Sequence, residues 1–212
     1  RNFVSGLVTL GIFGLSLGFF PYVQSGNIEF LAKGVGGLTI SFGIGPFSLL
    51  IIALISLLCF LGSLFSSSYL KKYDFPVNEN KYYSLLLLFM GGMIGAVLAT
   101  ELFTMFVFWE LMTLGAYFLI TYENNPDSIK AGNKYFLMSE IGALSILSGI
   151  IILWVTTGTT QLSELVFVAE ANPALNISVL SLFLLGFGVK AAFFPIHSWL
   201  PDAHPEAPSP IS

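Results

Sequence analysis

Charged residues are scarce in this chain. Asp, Glu, Lys and Arg make up only 9% of its 212 residues, whereas 55% are hydrophobic. An ordinary soluble domain has about 25% charged residues, and several apolar runs here reach the roughly 20 residues that a bilayer-spanning helix requires. The composition therefore excludes a soluble globule and predicts an all-α membrane protein.

Other features are missing as well. The single cysteine, Cys59, lies inside an apolar run and excludes a disulfide framework. The net charge of −4 is spread over loops, so we expect no nucleic-acid partner. The sequence has no glycine-rich phosphate loop, cysteine cluster, haem-ligand pair or nucleophile elbow. We therefore expect no cofactor and no redox or hydrolytic site in this chain.

Neither end reads as a finished terminus. The chain begins with Arg1 rather than methionine, and its first apolar run lacks the cleavage site of a signal peptide. It ends in "EAPSPIS", which is typical of the entry to a further helix. We expect the chain to be incomplete at both ends.

The apolar runs predict one transmembrane domain with six spans. The first loop, over 21–45, is predicted to form a surface hairpin, and a surface helix is predicted over 161–171. In the third span Gly91, Gly95 and Ala99 recur every four residues, which predicts close packing of a neighbouring helix. The spans are predicted at about 3–20, 46–69, 82–100, 102–122, 133–156 and 175–194, followed by a broken-helix segment over 195–212.

The basic residues indicate an orientation. With six spans, six of the eight fall on one side of the membrane, Lys33 falls on the other, and Lys190 lies within the last span. The positive-inside rule then places the N-terminal end, the 70–81 and 122–133 loops and the C-terminal segment in the cytoplasm. The six residues on that side are Arg1, Lys71, Lys72, Lys81, Lys130 and Lys134.

Glu110 lies in the middle of the fourth predicted span. It follows Glu101 at the span edge by nine residues, or about 13 Å of helix, within a hydrocarbon core of about 30 Å. A charge at that depth costs on the order of 2.5–3.5 kcal/mol on insertion scales, so by default it marks a functional site. Thr113, Tyr117 and Thr121 follow on the same helical face and predict a polar side. The alternative is a protonated glutamic acid that only joins two helices.

Lys190 interrupts the last predicted span, "LFLLGFGVKAAFFPIHSWLPDAH". Pro195 and then Pro201 follow, and each lacks the backbone N–H that a helix needs, which predicts a helix break. Broken helices at membrane depth are buried in protein or line hydrated cavities, and transporters place ions at them. The alternative is a lysine that extends to the cytoplasmic interface and takes no part in transport.

Glu110 and Lys190 are predicted to act together. Burial disfavours the charged form of each, whereas pairing restores both charges. A motion that separates the pair therefore changes the proton affinity of both groups, which is the elementary step of a proton carrier. We predict that the head groups lie within direct or one-water reach, in a polar seam between the fourth and sixth spans.

Two further ionisable side chains are candidates. Glu140 lies about 10 Å into the fifth predicted span, on the same face as Asn133. His197 follows the predicted break, where proton entry or hydration is expected. His197 and His204, with Asp202 and Glu206 nearby, do not have a recognised zinc spacing, so we expect no metal site.

Three segments together resemble one protein family. They are "ELFTMFVFWELMTLGAYFLI", "KAGNKYFLMSEIGALSIL" and "GFGVKAAFFPIHSWLPDAHPEAPSPIS". They are similar to the antiporter-like membrane subunits shared by respiratory complex I, membrane-bound hydrogenases and related ferredoxin-driven complexes, and Mrp-type cation/proton antiporters. The likeness is dense over 82–212, and the lysine followed by "FFP-H-WLPDAH-EAP-P-S" is highly specific to that family.

The resemblance implies a fold and a role. Family members consist of two inverted helical repeats, and the six spans here correspond to most of the first repeat. Glu110 matches the family's membrane-embedded glutamate, and Lys190 matches the lysine on its broken helix. The family often has an aspartate where Gly45 stands here. The resemblance implies a proton- or cation-translocating subunit in a cell membrane or an energy-coupling organelle membrane. It also implies assembly with other membrane subunits, including a chain or segment that supplies the remaining helices.

Three functions remain open at this point. The chain could serve a redox-driven, complex I-like or hydrogenase-type oxidoreductase complex of a respiratory chain, or an Mrp-type Na⁺/H⁺ antiporter without redox chemistry. It could also be a degenerate half-subunit with a structural role only. Neighbouring subunits with iron–sulfur or nickel-site cysteine motifs would indicate the first, and a cluster of small hydrophobic proteins the second.

Overall fold

The computed structural model describes residues 2–23, 28–33, 39–72, 78–165 and 173–211. Six helices in these ranges are long and apolar enough to cross a membrane, which confirms the predicted number of spans. In chain order the elements are α1 (Asn2–Val23), β1 (Ile28–Lys33), β2 (Thr39–Ile44), α2 (Pro46–Tyr69), a 3₁₀ turn (Leu70–Lys72), α3 (Glu79–Leu98), α4 (Leu102–Ile120), α5 (Pro126–Thr157), α6 (Pro173–Lys190) and α7 (Leu200–Glu206).

The first loop contains the predicted hairpin. β1 and β2 pair antiparallel, with Ile28 opposite Ile44. The hairpin leads into α2 at Gly45, whose N–H donates to the Ser48 hydroxyl at 2.8 Å. Of the helix predicted over 161–171, residues 162–165 are helical, Gln161 forms a bridge instead, and residues 166–171 lie outside the described residues.

α5 begins seven residues before its predicted start. Asn125 caps it, because its side-chain oxygen accepts the Ser128 N–H at 2.7 Å while the Ser128 hydroxyl accepts the Asn125 N–H at 3.2 Å. Pro126 occupies the first turn, where a missing N–H costs nothing. Gly158, with a φ of 75°, ends the helix in the left-handed conformation that glycine favours.

Consecutive helices pack in pairs, α1 with α2, α3 with α4, and α5 with α6. The predicted contact face of α3 is wrong by one residue at its start. A Cβ on Gly91 would meet nothing within 4 Å, whereas one on Gly92 would lie 2.6 Å from the Met112 nitrogen. A Cβ on Gly95 would overlap the Phe108 ring. The hydrophobic run alone does not show which of two adjacent glycines faces the neighbouring helix.

The two ends of the helical bundle gather different loops. At one end β2, the α3–α4 turn and the loop after α5 meet, since Phe42 bridges to Ala99 and Glu101 bridges to Gln161. At the other end the Tyr122 hydroxyl donates to the Asn78 carbonyl at 3.0 Å, and burial raises the pKa of this phenol. The segment after α6 also lies at this second end, as the ion pair between Lys134 and Asp202 described below shows.

Candidate functional site

α6 ends at Lys190, although apolar residues continue to Phe194. Ala192 has a φ of 53°, which takes the chain out of the helix. The predicted break is confirmed, but the chain leaves the helix five residues before Pro195. Pro201, predicted as a second interruption, instead lies in the first turn of α7, where its missing N–H breaks no helical hydrogen bond.

The carbonyls of the last turn of α6 find donors in the segment that follows. The indole N–H of Trp199 donates to the Val189 carbonyl at 2.7 Å. This bond folds the segment after the break back against the end of α6, so the interruption leaves few unpaired backbone groups. The backbone donors are Ala191 to the Phe187 carbonyl at 2.8 Å, Ala192 to the Val189 carbonyl at 3.2 Å, and Phe193 to the Gly188 carbonyl at 2.9 Å.

The Lys190 ammonium lies between α4 and α5. It donates to the Thr113 hydroxyl at 2.9 Å and to the Tyr135 hydroxyl, both on buried residues. The Thr113 hydroxyl in turn donates to the Trp109 carbonyl at 2.9 Å, which leaves its lone pairs for the ammonium. The side chain thus points into the protein, which argues against a lysine that only reaches the membrane interface.

Glu110 of α4 and Glu140 of α5 lie together beside this lysine. The two carboxyl groups act electrostatically on each other and on Lys190. Glu110 and Lys190 do not form a direct ion pair within 4.0 Å, unlike Lys134 and Asp202, whose charged atoms are 2.6 Å apart. The structure therefore brings Glu110 and Lys190 into one region together with Glu140, the further candidate on α5.

The remaining predicted residues occupy different places. The Tyr117 hydroxyl donates to the Asn133 side chain at 3.2 Å, and the Thr121 hydroxyl donates to the Tyr117 carbonyl at 3.0 Å, so both lie towards the start of α5 rather than at Lys190. Nδ1 of His197 is buried and has no hydrogen-bond partner among the described residues. Among all the residues that the structure describes, no group of three or more His, Cys, Asp or Glu side chains could hold a metal ion.

A cavity of about 310 Å³ opens beside the lysine, between α4, α5 and α7. Its lining is mostly apolar, and Lys190, Tyr135 and His204 contribute polar or ionisable groups. Two buried atoms near this region, Glu110 Oε1 and Ser139 Oγ, also lack partners within the described residues. Buried polar atoms are normally paired. The described ones that are not, on Glu110, Ser139 and His197, lie around the end of α6.

Tyr135 is the functional candidate that the sequence reasoning missed. A tyrosine in an apolar helix reads as packing, and nothing in its immediate neighbours shows that it meets Lys190. A weak signal was available in the spacing of Tyr135, Ser139 and Gly142, a polar and small stripe at helical intervals. Gly142 lies on the α6 side of α5, since a Cβ there would be 3.0 Å from the Gly186 carbonyl.

Comparisons with known proteins agree with this fold. The "Putative antiporter subunit mnhA2" of Staphylococcus aureus strain MSSA476 is 36% identical over 197 residues, which cover 91% of this chain and 23% of that protein. A chain of the membrane-bound sulfane sulfur reductase (MBS), an archaeal respiratory membrane complex, is 30% identical with a TM-score of 0.86, over 99% of this chain and 43% of that one. A chain of the Mrp complex from Dietzia sp. DQ12-45-1b is 25% identical with a TM-score of 0.83, over 98% and 39%.

The chain spans about a quarter of the length of that curated relative and less than half of each solved chain. The family model described as "NADH:quinone oxidoreductase/Mrp antiporter, TM" matches residues 99–212 and thus includes α4 to α7 with all three charged residues of the site. Since that match covers more than half of the chain, this multi-pass membrane protein belongs to the NADH:quinone oxidoreductase/Mrp antiporter family, as its sequence motifs implied.

Proposed function

We propose that this chain belongs to a subunit that moves protons, or exchanges protons for cations, within a multisubunit membrane complex. The observation that carries the proposal is the meeting of Glu110, Glu140 and Lys190 inside the membrane, where α6 ends. Ionisable groups at that depth are costly unless they face protein or water, and they are found on ion and proton pathways. A purely structural half-subunit would gain little from keeping three of them together.

The arrangement supports proton exchange in two steps. Two neighbouring carboxyl groups do not readily ionise together, so Glu110 and Glu140 hold a proton between them while the ammonium stays on its hydroxyl partners. Movement of Lys190 towards the carboxyl groups supplies the compensating charge and lets that proton leave. Return of Lys190 to the hydroxyl groups allows another proton to be taken up.

Cation/proton antiport of the Mrp type is the form of this activity that we propose first. The curated relative that is 36% identical is named as an antiporter subunit. The similarity to a chain of a respiratory sulfane sulfur reductase supports the second candidate, a subunit of a redox-driven complex. In both cases the partners would be other membrane subunits.

Transport in inverted membrane vesicles tests the proposal. The full-length protein would be assembled with its partner subunits, a proton gradient would be formed by respiration, and its collapse on addition of Na⁺ would be followed with a pH-sensitive dye. We expect Glu110→Gln and Lys190→Ala each to slow the collapse by about 10²-fold or more, the usual size of a positioned proton-transfer group. Formation of a proton gradient that needs this complex and an electron donor, with no collapse on addition of Na⁺, would favour the redox-driven complex.

Two variants provide matched controls. Glu164→Gln and Lys81→Ala make the same chemical changes at exposed positions outside the membrane interior, and we expect both to transport at the unmodified rate. Normal transport by Glu110→Gln and Lys190→Ala, with assembly unchanged, would contradict the proposal and favour a structural role.

A further inference from the structure

We propose that Tyr135 is a positioning residue which, together with Thr113, holds the Lys190 ammonium on neutral hydroxyl groups and away from Glu110 and Glu140. Transport then requires Lys190 to leave Tyr135. This inference rests on the function proposed above. It specifies that Lys190 is hydrogen-bonded to hydroxyl groups in the state that the structure shows.

The contacts of the ammonium are the first argument. Both of its hydrogen-bond partners are hydroxyl groups, one on α4 and one on α5, although two carboxyl groups lie near it. Hydroxyl oxygens solvate an ammonium without neutralising it, so the positive charge is held in place but not cancelled. The carboxyl pair is thereby left without its cation.

The rigidity of the Tyr135 ring is the second argument. The Trp199 ring packs against it edge-on, with the centroids 5.1 Å apart. Trp199 itself is tied to the end of α6 by its bond to the Val189 carbonyl, one residue before Lys190. A single aromatic side chain therefore fixes both the tyrosine that accepts the hydrogen bond and the backbone from which the lysine extends. A movement of the segment after the break would alter both together.

The charged and titratable groups that face Lys190 come from three elements. Glu110 faces it from α4, while Glu140 and the Tyr135 phenol face it from α5. His204 of α7 lines the same cavity. Of these groups only the two carboxyl groups can provide a negative charge at neutral pH, so the lysine has two alternative sets of partners, hydroxyl and carboxyl.

Tyr135→Phe removes the hydroxyl group and keeps the ring that packs against Trp199. We expect transport in the assembled complex to fall by about tenfold, because Lys190 would settle on the carboxyl groups. We also expect the pH of half-maximal rate to move by about one unit towards acid, since a tenfold change in proton affinity corresponds to one pH unit. Thr113→Val removes the other acceptor, and we expect a shift in the same direction.

Tyr82→Phe is the matched control. The Tyr82 hydroxyl is also buried and shares a hydrogen bond of 2.8 Å with the Ser66 hydroxyl, but it joins α3 to α2 away from the lysine. Its loss should lower thermal stability and leave the pH profile of transport unchanged.

The outcomes separate the two proposals. Impaired transport by Glu110→Gln and Lys190→Ala, together with an unchanged rate or an unchanged pH profile in Tyr135→Phe and Thr113→Val, would overturn the positioning role alone. Normal transport by Lys190→Ala would overturn the proposed function itself. An acid shift in both hydroxyl variants, absent in Tyr82→Phe, would support the positioning role.

Discussion

Glu101, which caps the start of α4, and Glu110, nine residues later within α4, have opposite surroundings. Glu101 is only 1% exposed, yet both of its oxygens are satisfied. Oε1 accepts the Phe103 N–H at 3.0 Å and the Thr160 hydroxyl, and Oε2 accepts the Thr104 N–H at 2.7 Å and the Thr104 hydroxyl at 2.9 Å. Glu110 instead has a buried oxygen without a partner among the described residues. Glu101 therefore stabilises the start of α4, whereas Glu110 is available for chemistry.

Glu101→Gln tests this structural role. Both carboxylate oxygens of Glu101 accept hydrogen bonds. In the glutamine variant one of them is replaced by an NH₂ group, which would face N–H and O–H donors and could not accept from them. We expect the free energy of unfolding to fall by about 2–3 kcal/mol, the cost of losing hydrogen bonds to a buried charged group. Thermal unfolding of the detergent-solubilised protein would measure it, with Glu164→Gln as the exposed control. Equal stability of the two variants would show that the Glu101 contacts contribute little.

At the scale of the helix, the glycines of α3 determine how closely α4 approaches. Gly92 meets the backbone of Met112, and backbone atoms cannot move aside without separating the two helices. Gly91, its neighbour in sequence, faces open space. This difference makes two adjacent glycines a matched pair for experiment.

Gly92→Ala should lower the free energy of unfolding by about 1–3 kcal/mol, the usual cost of overpacking. Gly91→Ala should be neutral or stabilising by up to about 1 kcal/mol, because alanine has the higher helix propensity. Thermal unfolding of both variants under the same conditions would compare them. A larger loss for Gly91→Ala would mean that the contact face predicted from Gly91 and Gly95 was the correct one.

The limits of sequence reasoning are clearest at the end of α6. The length of each apolar run located every span, since hydropathy depends only on composition. The prolines after Lys190 indicated a break. The end at Lys190 was not predicted, because residues 191–194 are as apolar as a helix in lipid. The conformation of Ala192 and the bond from Trp199 end the helix, and both depend on tertiary contacts.

At the site, the sequence predicts how deep a side chain lies in the membrane but not the direction in which it points. The depth of Glu110 and Lys190 in the membrane follows from counting residues along a helix, so both were identified as candidates. Whether the lysine turns towards a carboxyl or a hydroxyl group depends on how α4, α5 and α6 rotate against one another. The close approach of Gly142 and Gly186 contributes to that rotation, and single-sequence patterns do not contain it.

At the scale of the whole molecule, the loops at the two ends of the bundle differ in charge. Lys71, Lys81, Lys130 and Lys134 lie at the end that also holds α7. The opposite end, with the hairpin and the 158–162 loop, carries few basic residues in its described part. The positive-inside rule therefore predicts that the α7 end faces the cytoplasm. On this orientation the cavity beside Lys190 lies nearer to the cytoplasmic end, because α7 lines it.

Cysteine labelling tests this orientation. In a full-length protein without other cysteines, including Cys59→Ser, single cysteines would be introduced as Lys130→Cys at the α7 end and Glu164→Cys at the hairpin end. A membrane-impermeant maleimide should label Lys130→Cys in inverted vesicles only and Glu164→Cys in right-side-out vesicles only, because each site is exposed at one end of the bundle. The cysteine-free protein controls for background labelling. The reverse pattern would place α7 and the Lys190 cavity towards the outer face, and protons would then reach the carboxyl pair from the opposite side.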